Sequence, residues 1–241
     1  MSLQEKSHPY YYDFHIHTAL SPCANDDMTP NDIVGMAVLN ELDIIAITDH
    51  NTIGNALSVI EAAEAANKTH GKNLVVLPGI EVTTAEEVHV LCLFCDIGSA
   101  VEFEKELSYF FNTLENREDI FGAQLLFDSS DNATGKMERM LMAPTLISFD
   151  HLHNLISKRN AAFIPAHIDR GSFSVTSNLG FLPPHLNIKT IELADESHAG
   201  LYPGNNIIYS SDAHQLWAIN EKKHFLLLPE LTAKAVIEYL R

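Results

Sequence analysis

Basic residues are scarce in this chain. Against 32 Asp+Glu stand 15 Lys+Arg, a formal charge of −17, which leaves no standing positive stripe for a phosphate backbone or an anionic membrane surface. Anionic ligands remain open, because bound divalent cations invert the local sign of an acidic pocket. Cysteine is scarce too. Cys23, Cys92 and Cys95 are an odd count, which excludes a disulfide framework and suits a reducing cytosol. Cys92 and Cys95 form a C-x-x-C within the apolar run Val90 to Cys95; they read as small buried hydrophobes, since a zinc knuckle needs a second pair. No apolar run approaches a membrane span, and Met1 to Tyr12 lacks the apolar centre of a signal peptide. A cytoplasmic protein is expected. Repeats and low-complexity segments are missing as well, and a hydrophobic fraction of 46% over 241 residues supplies the core of one large domain.

What is present alternates between strand and helix. Tyr12 to Ile16 reads as a short strand, followed by a polar loop to Met28. Thr29 then looks like an N-cap, with Pro30 at the first helical position and Asp32 in the first turn. Asp43 to Thr48 is a continuous apolar strand of the kind buried on both faces in parallel sheets. Asn55 to His70 reads as an alanine-rich helix closed by Gly71, and Leu74 to Leu77 and Val88 to Cys95 as strands. From about 100 to 146 the pattern changes: a charged helix over Ala100 to Arg117, then a turn-rich stretch through Asp128 to Gly135. This reads as an insertion or cap. Alternation resumes with a helix over Phe149 to Lys158, strands at Ala162, Lys189, Asn206 and Phe225, and a helix from Glu230 to Leu240. Such repeated units imply a barrel-like α/β fold.

The polar residues fall in a pattern on this scaffold. In α/β barrels the chemistry gathers at the carboxyl ends of strands, and here strand after strand ends in a metal-ligand type. The motifs are His15-Ile-His17, Thr48-Asp49-His50, Gly79-Ile-Glu81, His89 in the fourth strand, Pro165-Ala-His167 and Ser210-Ser-Asp212-Ala-His214. Residues i and i+2 of a strand share a face, so His15 and His17 can grip one ion together. Imidazole suits zinc, iron and manganese, and carboxylates can bridge two ions. Singly, each motif has a plain structural explanation: a surface strand, a cap made by Asp49, a solvated turn at Glu81, a core histidine at 89. Together, at successive strand ends, they make one site. His8, His70, His185 and His224 lack that placement, and His151 and His153 sit in a predicted helix and read as structural.

These residues, in this order, resemble the PHP (polymerase and histidinol phosphatase) family. The resemblance runs through His15-Ile-His17-Thr18, Ile47-Thr48-Asp49-His50-Asn51, Pro78-Gly79-Ile80-Glu81, His89, Pro165-Ala166-His167 and Ser211-Asp212-Ala213-His214. It implies a distorted (β/α)7 barrel of the TIM-barrel-like kind, with two or three divalent metal ions (Zn, Mn or Fe) at the carboxyl face. By that resemblance His15, His17, Glu81 and Asp212 hold one ion, and Glu81 bridges to a second held by His89 and His167. A third is held by His50, His214 and an acid from the first loop. Many relatives carry Ser-Asp-Gly there. This loop reads Ser21 to Pro30 without that tripeptide, and Asp27, counted back from the helix start, is chosen over Asp26. Many relatives also carry His-Pro-Gly-Arg at the sixth motif. Here His167-Ile-Asp-Arg170 puts Arg170 in register to clamp phosphate oxygens, or to pair with Asp169 at the surface. His198 stays outside the expected site.

The expected activity is phosphoester hydrolysis by a metal-activated hydroxide, with Glu81 and Asp212 as catalytic groups and Arg170 as substrate contact. A small phosphomonoester or short nucleotide is the expected substrate; the acidic balance makes long nucleic acid an unlikely partner and a membrane none. Metal-dependent hydrolysis of a C–N or carboxylic ester bond is the alternative enzyme, and a non-catalytic metal-binding regulatory domain the alternative outside enzymes.

Overall fold

The computed structural model describes residues 7–241. In chain order the elements are β1 (His8–Ile16), α1 (Pro30–Leu39), β2 (Ile44–Ile47), α2 (Ala56–His70), β3 (Val75–Thr83), β4 (His89–Phe94), α3 (Ile97–Leu107), α4 (Glu118–Phe121), β5 (Leu125–Phe127), β6 (Ala133–Lys136), α5 (Phe149–Ser157), β7 (Ala161–Pro165), α6 (Val175–Asn178), β8 (Thr190–Glu192), β9 (Asn206–Ile208), β10 (Phe225–Leu228) and α7 (Ala233–Leu240).

Six strands form one mixed sheet in the order β10-β1-β2-β3-β4-β7. β1, β2 and β3 are parallel, β4 runs antiparallel to both β3 and β7, and β10 lies antiparallel on the outer edge of β1. β8 and β9 form a separate parallel pair. Ile168 N donates to Glu192 O at 2.9 Å, and Ile16 bridges Ala213, so this pair stands between the two ends of a strongly curled sheet. The arrangement is α/β, and it departs from a uniformly parallel (β/α)7 ring at β4 and at the breaks beside β8 and β9.

Alternation along each strand explains why the sheet has two cores. Ile44 and Ala46, Leu91 and Leu93, and Ala162 and Ile164 face an inner cluster closed by Val236, Ile237 and Leu240 of α7. Ile45 and Ile47, Val90, Cys92 and Phe94, and Phe163 face an outer cluster covered by α1, α2, α3 and α5. Strands apolar on both faces need cover on both faces, as the run Asp43 to Thr48 predicts. Cys92 is fully buried there and Cys95 touches Asn160, so the C-x-x-C is packing.

Helix boundaries follow local chemistry. Gly71 takes the left-handed conformation (φ 62°) that ends α2. The expected long helix over Ala100 to Arg117 is instead α3, ending at Leu107. Beyond it, a short turn swings Phe110 and Phe111 against the outer core, and the Arg139 guanidinium lies 3.6 Å over the Phe111 ring. Tertiary packing of that aromatic pair outweighs the helical pattern. Of the segment from about 100 to 146, α3 belongs to the outer core. The β5–β6 hairpin and its flanks rest on the site's rim: Leu125 N donates to Ala19 O, and the Asn51 amide donates to Leu141 O and Ala143 O. Among the described residues, no helix is long and apolar enough to cross a membrane.

Candidate metal centre

One rim of the curled sheet collects the carboxyl ends of β1, β2, β3 and β7 and, because β4 is antiparallel, its amino end. His89 therefore reaches the rim from the first residue of its strand. Past β2 a bridge pairs His50 with Glu81, with Asn51 N donating to Glu81 O at 2.9 Å. Four residues at the rim adopt left-handed backbone without being glycine: Asn51 (φ 53°), His167 (φ 30°), Phe173 (φ 53°) and Asp212 (φ 52°). Each such conformation costs on the order of 1–3 kcal/mol and persists only where its surroundings hold it.

Glu81 is the hub. Its Oε1 lies 3.2 Å from His15 Nε2, 2.8 Å from His89 Nδ1 and 3.5 Å from His167 Nε2; its Oε2 lies 2.9 Å from His50 Nδ1 and 3.3 Å from His17 Nε2. Asp212 Oδ1 stands 3.2 Å from both His15 Nε2 and His17 Nε2. These atoms are close but poorly aimed at one another. Both Glu81 oxygens, His15 Nε2, His17 Nε2 and His50 Nδ1 are buried without a hydrogen-bond partner. Burying polar atoms in that way is costly, and their convergence is the pattern a cation satisfies. The residues present fit a divalent metal centre. Ligand atoms draw together in three overlapping groups: His15, His17 and Asp212; His50, Glu81 and His89; and His17, Cys23, His50 and His214.

The far nitrogens of the rings decide which lone pair is offered. His15 Nδ1 donates to Glu192 (3.0 Å), and Glu192 Oε2 also accepts the His167 backbone N–H at 2.9 Å. His17 Nδ1 donates to Ser21 Oγ (3.0 Å), which itself donates to Asp49. His214 Nδ1 donates to the Asp212 carbonyl at 2.8 Å. Each bond fixes a tautomer with Nε2 free to bind a metal. Asp49, also bonded to the Thr18 backbone and hydroxyl, is thus a support of the site, and Asp13 supports it from below by accepting from Ser211 N and Asn220 N.

The charges answer one another. Burial, the largest influence on His15 and His17, disfavours their charged forms, but Asp212, Glu81 and, for His15, Glu192 outweigh it; His15 is raised well above its usual value and His17 to about 9. Burial likewise opposes ionisation of Glu81 and Asp212, yet the surrounding imidazoles hold both well below the usual carboxylate range. Burial, reinforced by the charge on His17, lowers His50 and His214 to about 4. Left to themselves, the side chains seat protons on His15 and His17 where a cation would satisfy the same carboxylates.

A cavity of about 170 Å³ opens onto this cluster, lined by Cys23, Met142, Arg170, Ser172 and Phe173 together with the histidines. Arg170 pairs with Asp212 Oδ2, not with Asp169, which instead accepts from Ala194 N, Asp195 N and His198. Phe173 stacks on His89 with ring centroids 4.8 Å apart. The rim therefore brings together His15, His17, His50, Glu81, His89, His167, Arg170, Asp212 and His214 as expected. It does not bring in Asp27, which is exposed in a turn where its carbonyl accepts Thr29 N. Cys23 is the residue that reaches the histidines from that loop, and it has no motif to mark it. Glu192 was also missed; its one signal is an acid inside the apolar run Thr190 to Leu193.

The PHP domain family model matches residues 13–200. The exoribonuclease "5'-3' exoribonuclease Rnm" of Salmonella typhimurium is 32% identical over 100 residues, 40% of this chain and 32% of its own length. This chain thus aligns with about a third of that relative. Among solved structures, the lesion-specific endonuclease PfuEndoQ of Pyrococcus furiosus superposes with a TM-score of 0.66 at 16% identity, over 97% of this chain and 56% of its own. A putative metal-dependent phosphoesterase of Bifidobacterium adolescentis gives 0.54 at 18%, over 97% and 96%. At those identities the structures speak for the fold. The expectation of a small-molecule partner with long nucleic acid unlikely is overturned by the exoribonuclease relative, whose substrate is RNA. The physical reason is that net charge averages over the surface, whereas phosphate recognition is local and borne by cations at the site.

Proposed function

This chain belongs to the PHP domain family, whose members among its relatives are metal-dependent hydrolases, and from that premise we propose that it cleaves phosphodiester bonds of nucleic acid at or near a strand end. The observation that carries the reading is the convergence of orphaned imidazole nitrogens and both Glu81 oxygens at one strand-end rim, with Arg170 at its mouth. The kinship with a 5′-3′ exoribonuclease and a cavity of about 170 Å³ support a strand end over a duplex interior. Phe173 offers an aromatic face on which a terminal base can stack. We read the fold that carries this site as a distorted (β/α)7 barrel with β10 outside it, and the 108–146 stretch as a flap over the rim.

His15, His17 and Asp212 form one ligand set; Glu81, His89 and the adjoining His167 form a second, with His50 beside the other Glu81 oxygen. Divalent ions held there would activate water and neutralise charge on the phosphoryl oxygens. The protein's own groups do the rest. Arg170 turns from Asp212 to the phosphate, presenting parallel N–H donors. Asp212 Oδ2, the oxygen facing away from His15 and His17, is placed to take a proton. Glu192 and Ser21 keep the imidazoles aimed.

The test is protein loaded with Mn²⁺ or Zn²⁺ and given a 5′-phosphorylated oligoribonucleotide and its DNA counterpart. Mononucleotides should be released from the 5′ end, and Glu81→Ala and His15→Ala, checked by melting curves to be folded, should abolish release. Intact oligonucleotides alongside turnover of a simple aryl phosphate would refute the nucleic-acid reading.

A further inference from the structure

The loop after β1 is fastened at two points. Ser21 Oγ accepts from His17 Nδ1 and from His50 N while donating to Asp49. Four residues on, Asn25 N donates to the His214 carbonyl at 2.9 Å. Cys23 lies between these anchors, held against the three histidines by both. Its Sγ and one ring nitrogen each of His17, His50 and His214 all lie within 4.8 Å of one another. Two of those rings are buried and end on unpartnered nitrogens: His17 Nε2, in a fully buried side chain, and His50 Nδ1, in a residue 4% exposed. The third, His214, has its Nδ1 committed to a carbonyl and so offers Nε2. The rings of His17 and His214 are stacked at 4.3 Å, and those of His17 and His50 lie 4.6 Å apart. The loop's acids, Asp26 and Asp27, are both exposed.

We propose that Cys23 is a metal ligand, binding through sulfur alongside His50 and His214 and giving this corner of the centre a preference for zinc over manganese. The proposal rests on the reading of the rim as a metal centre. Zinc takes mixed sulfur and imidazole ligands readily, whereas manganese favours oxygen. His17 is shared between this group and that of His15 and Asp212, and its Nε2 can serve one ion. Cys23, His50 and His214 therefore make a three-ligand set, the number that leaves a coordination position open to water or substrate. On binding, the S–H bond breaks, the proton leaves to solvent and the sulfur lone pair goes to the metal; no oxidant or reductant takes part. Because Cys23 is exposed at the mouth, the same sulfur is accessible to thiol reagents until a metal covers it.

Cobalt(II) substitution of the whole protein separates the possibilities. The expected spectrum contains visible d–d bands and a near-ultraviolet sulfur-to-cobalt charge-transfer band. Cys23→Ser should remove the charge-transfer band, keep d–d bands from the remaining ions and lower retained zinc by one equivalent per chain in elemental analysis. Cys23→Asp should restore the lost equivalent with a preference shifted to manganese. In the parent protein, zinc should protect one thiol from a disulfide reagent, and that protection should vanish in Cys23→Ser. Visible d–d bands without a charge-transfer band in the parent would overturn the proposal while leaving the metal centre intact. No cobalt bands at all would overturn both.

Discussion

Glu192 is the residue through which the geometry is most exposed to test. It is 2% exposed, and its carboxylate accepts from both His15 Nδ1 and the His167 backbone N–H. Glu192→Ala strands two buried donors, at on the order of 1–3 kcal/mol each, and frees His15 to turn its Nε2 away from Glu81 and Asp212. Glu192→Gln keeps an accepting oxygen but removes the charge that favours a hydrogen on His15 Nδ1. Losing such a support of a ligating histidine weakens metal binding by about 10–100-fold, or roughly 1.4–2.7 kcal/mol. The glutamine variant should thus lose metal affinity with little loss of melting temperature, and the alanine variant should lose both. Calorimetric titration with Mn²⁺ beside thermal melts of chelator-treated protein reads the two effects apart. Parent-like affinity in Glu192→Gln, or a loss in Glu192→Ala matched by unfolding alone, would show that Glu192 packs the site without aiming it.

Other expectations follow from the same contacts. Arg170→Ala should raise KM for a phosphorylated oligonucleotide by about 10–100-fold, the worth of a charge-assisted hydrogen bond, while leaving metal content unchanged by elemental analysis; loss of metal would place Arg170 among the structural groups. The imidazole of His17, raised to about 9, makes the metal-free protein pH-sensitive in a definite direction. Its contribution to folding is fully present below the unfolded value of about 6.5 and is lost as pH rises through about 9. Chelated protein should therefore melt lower at high pH, while metal affinity climbs over the same window because ion and proton compete for one nitrogen. Gly79→Ala should destabilise the fold by about 1–3 kcal/mol, measured by denaturant titration, because a Cβ there would sit 2.7 Å from Leu93 Cδ2, 2.9 Å from Thr48 Cγ2 and 3.1 Å from the Ile47 carbonyl.

The parts of this site legible in the sequence are those with strong periodicity behind them. His15 and His17, two apart at the end of an apolar strand, declare a shared face, and Thr48-Asp49-His50 follows a strand buried on both sides. What was not legible depends on contacts between distant segments. Nothing local tells that β4 reverses direction, and only that reversal puts His89, at the start of its strand, on the same rim as residues at the ends of others. Glu192 lies 177 positions from the ring it orients. The loop residue is a related case: counting from the helix start selects Asp27, but in the loop tied by Asn25 N to the His214 carbonyl both acids are exposed away from the cluster, and Cys23 sits at the mouth beside the histidines.

The same distinction between count and place explains why net charge misjudged the partner. Asp13, Asp49, Glu81 and Glu192 are buried at or beneath the rim, and their negative charge is spent on histidines, hydroxyls and backbone N–H groups. They contribute to the −17 without presenting a field to a ligand, while each divalent ion held at the rim would add two positive charges at the one point where a phosphate must come. A nuclease of the proposed kind would need few lysines, since the cations held at the rim would both hold the phosphate and activate water. Its grip on nucleic acid should then depend on divalent ions far more than on the monovalent counterion release that governs proteins with basic stripes.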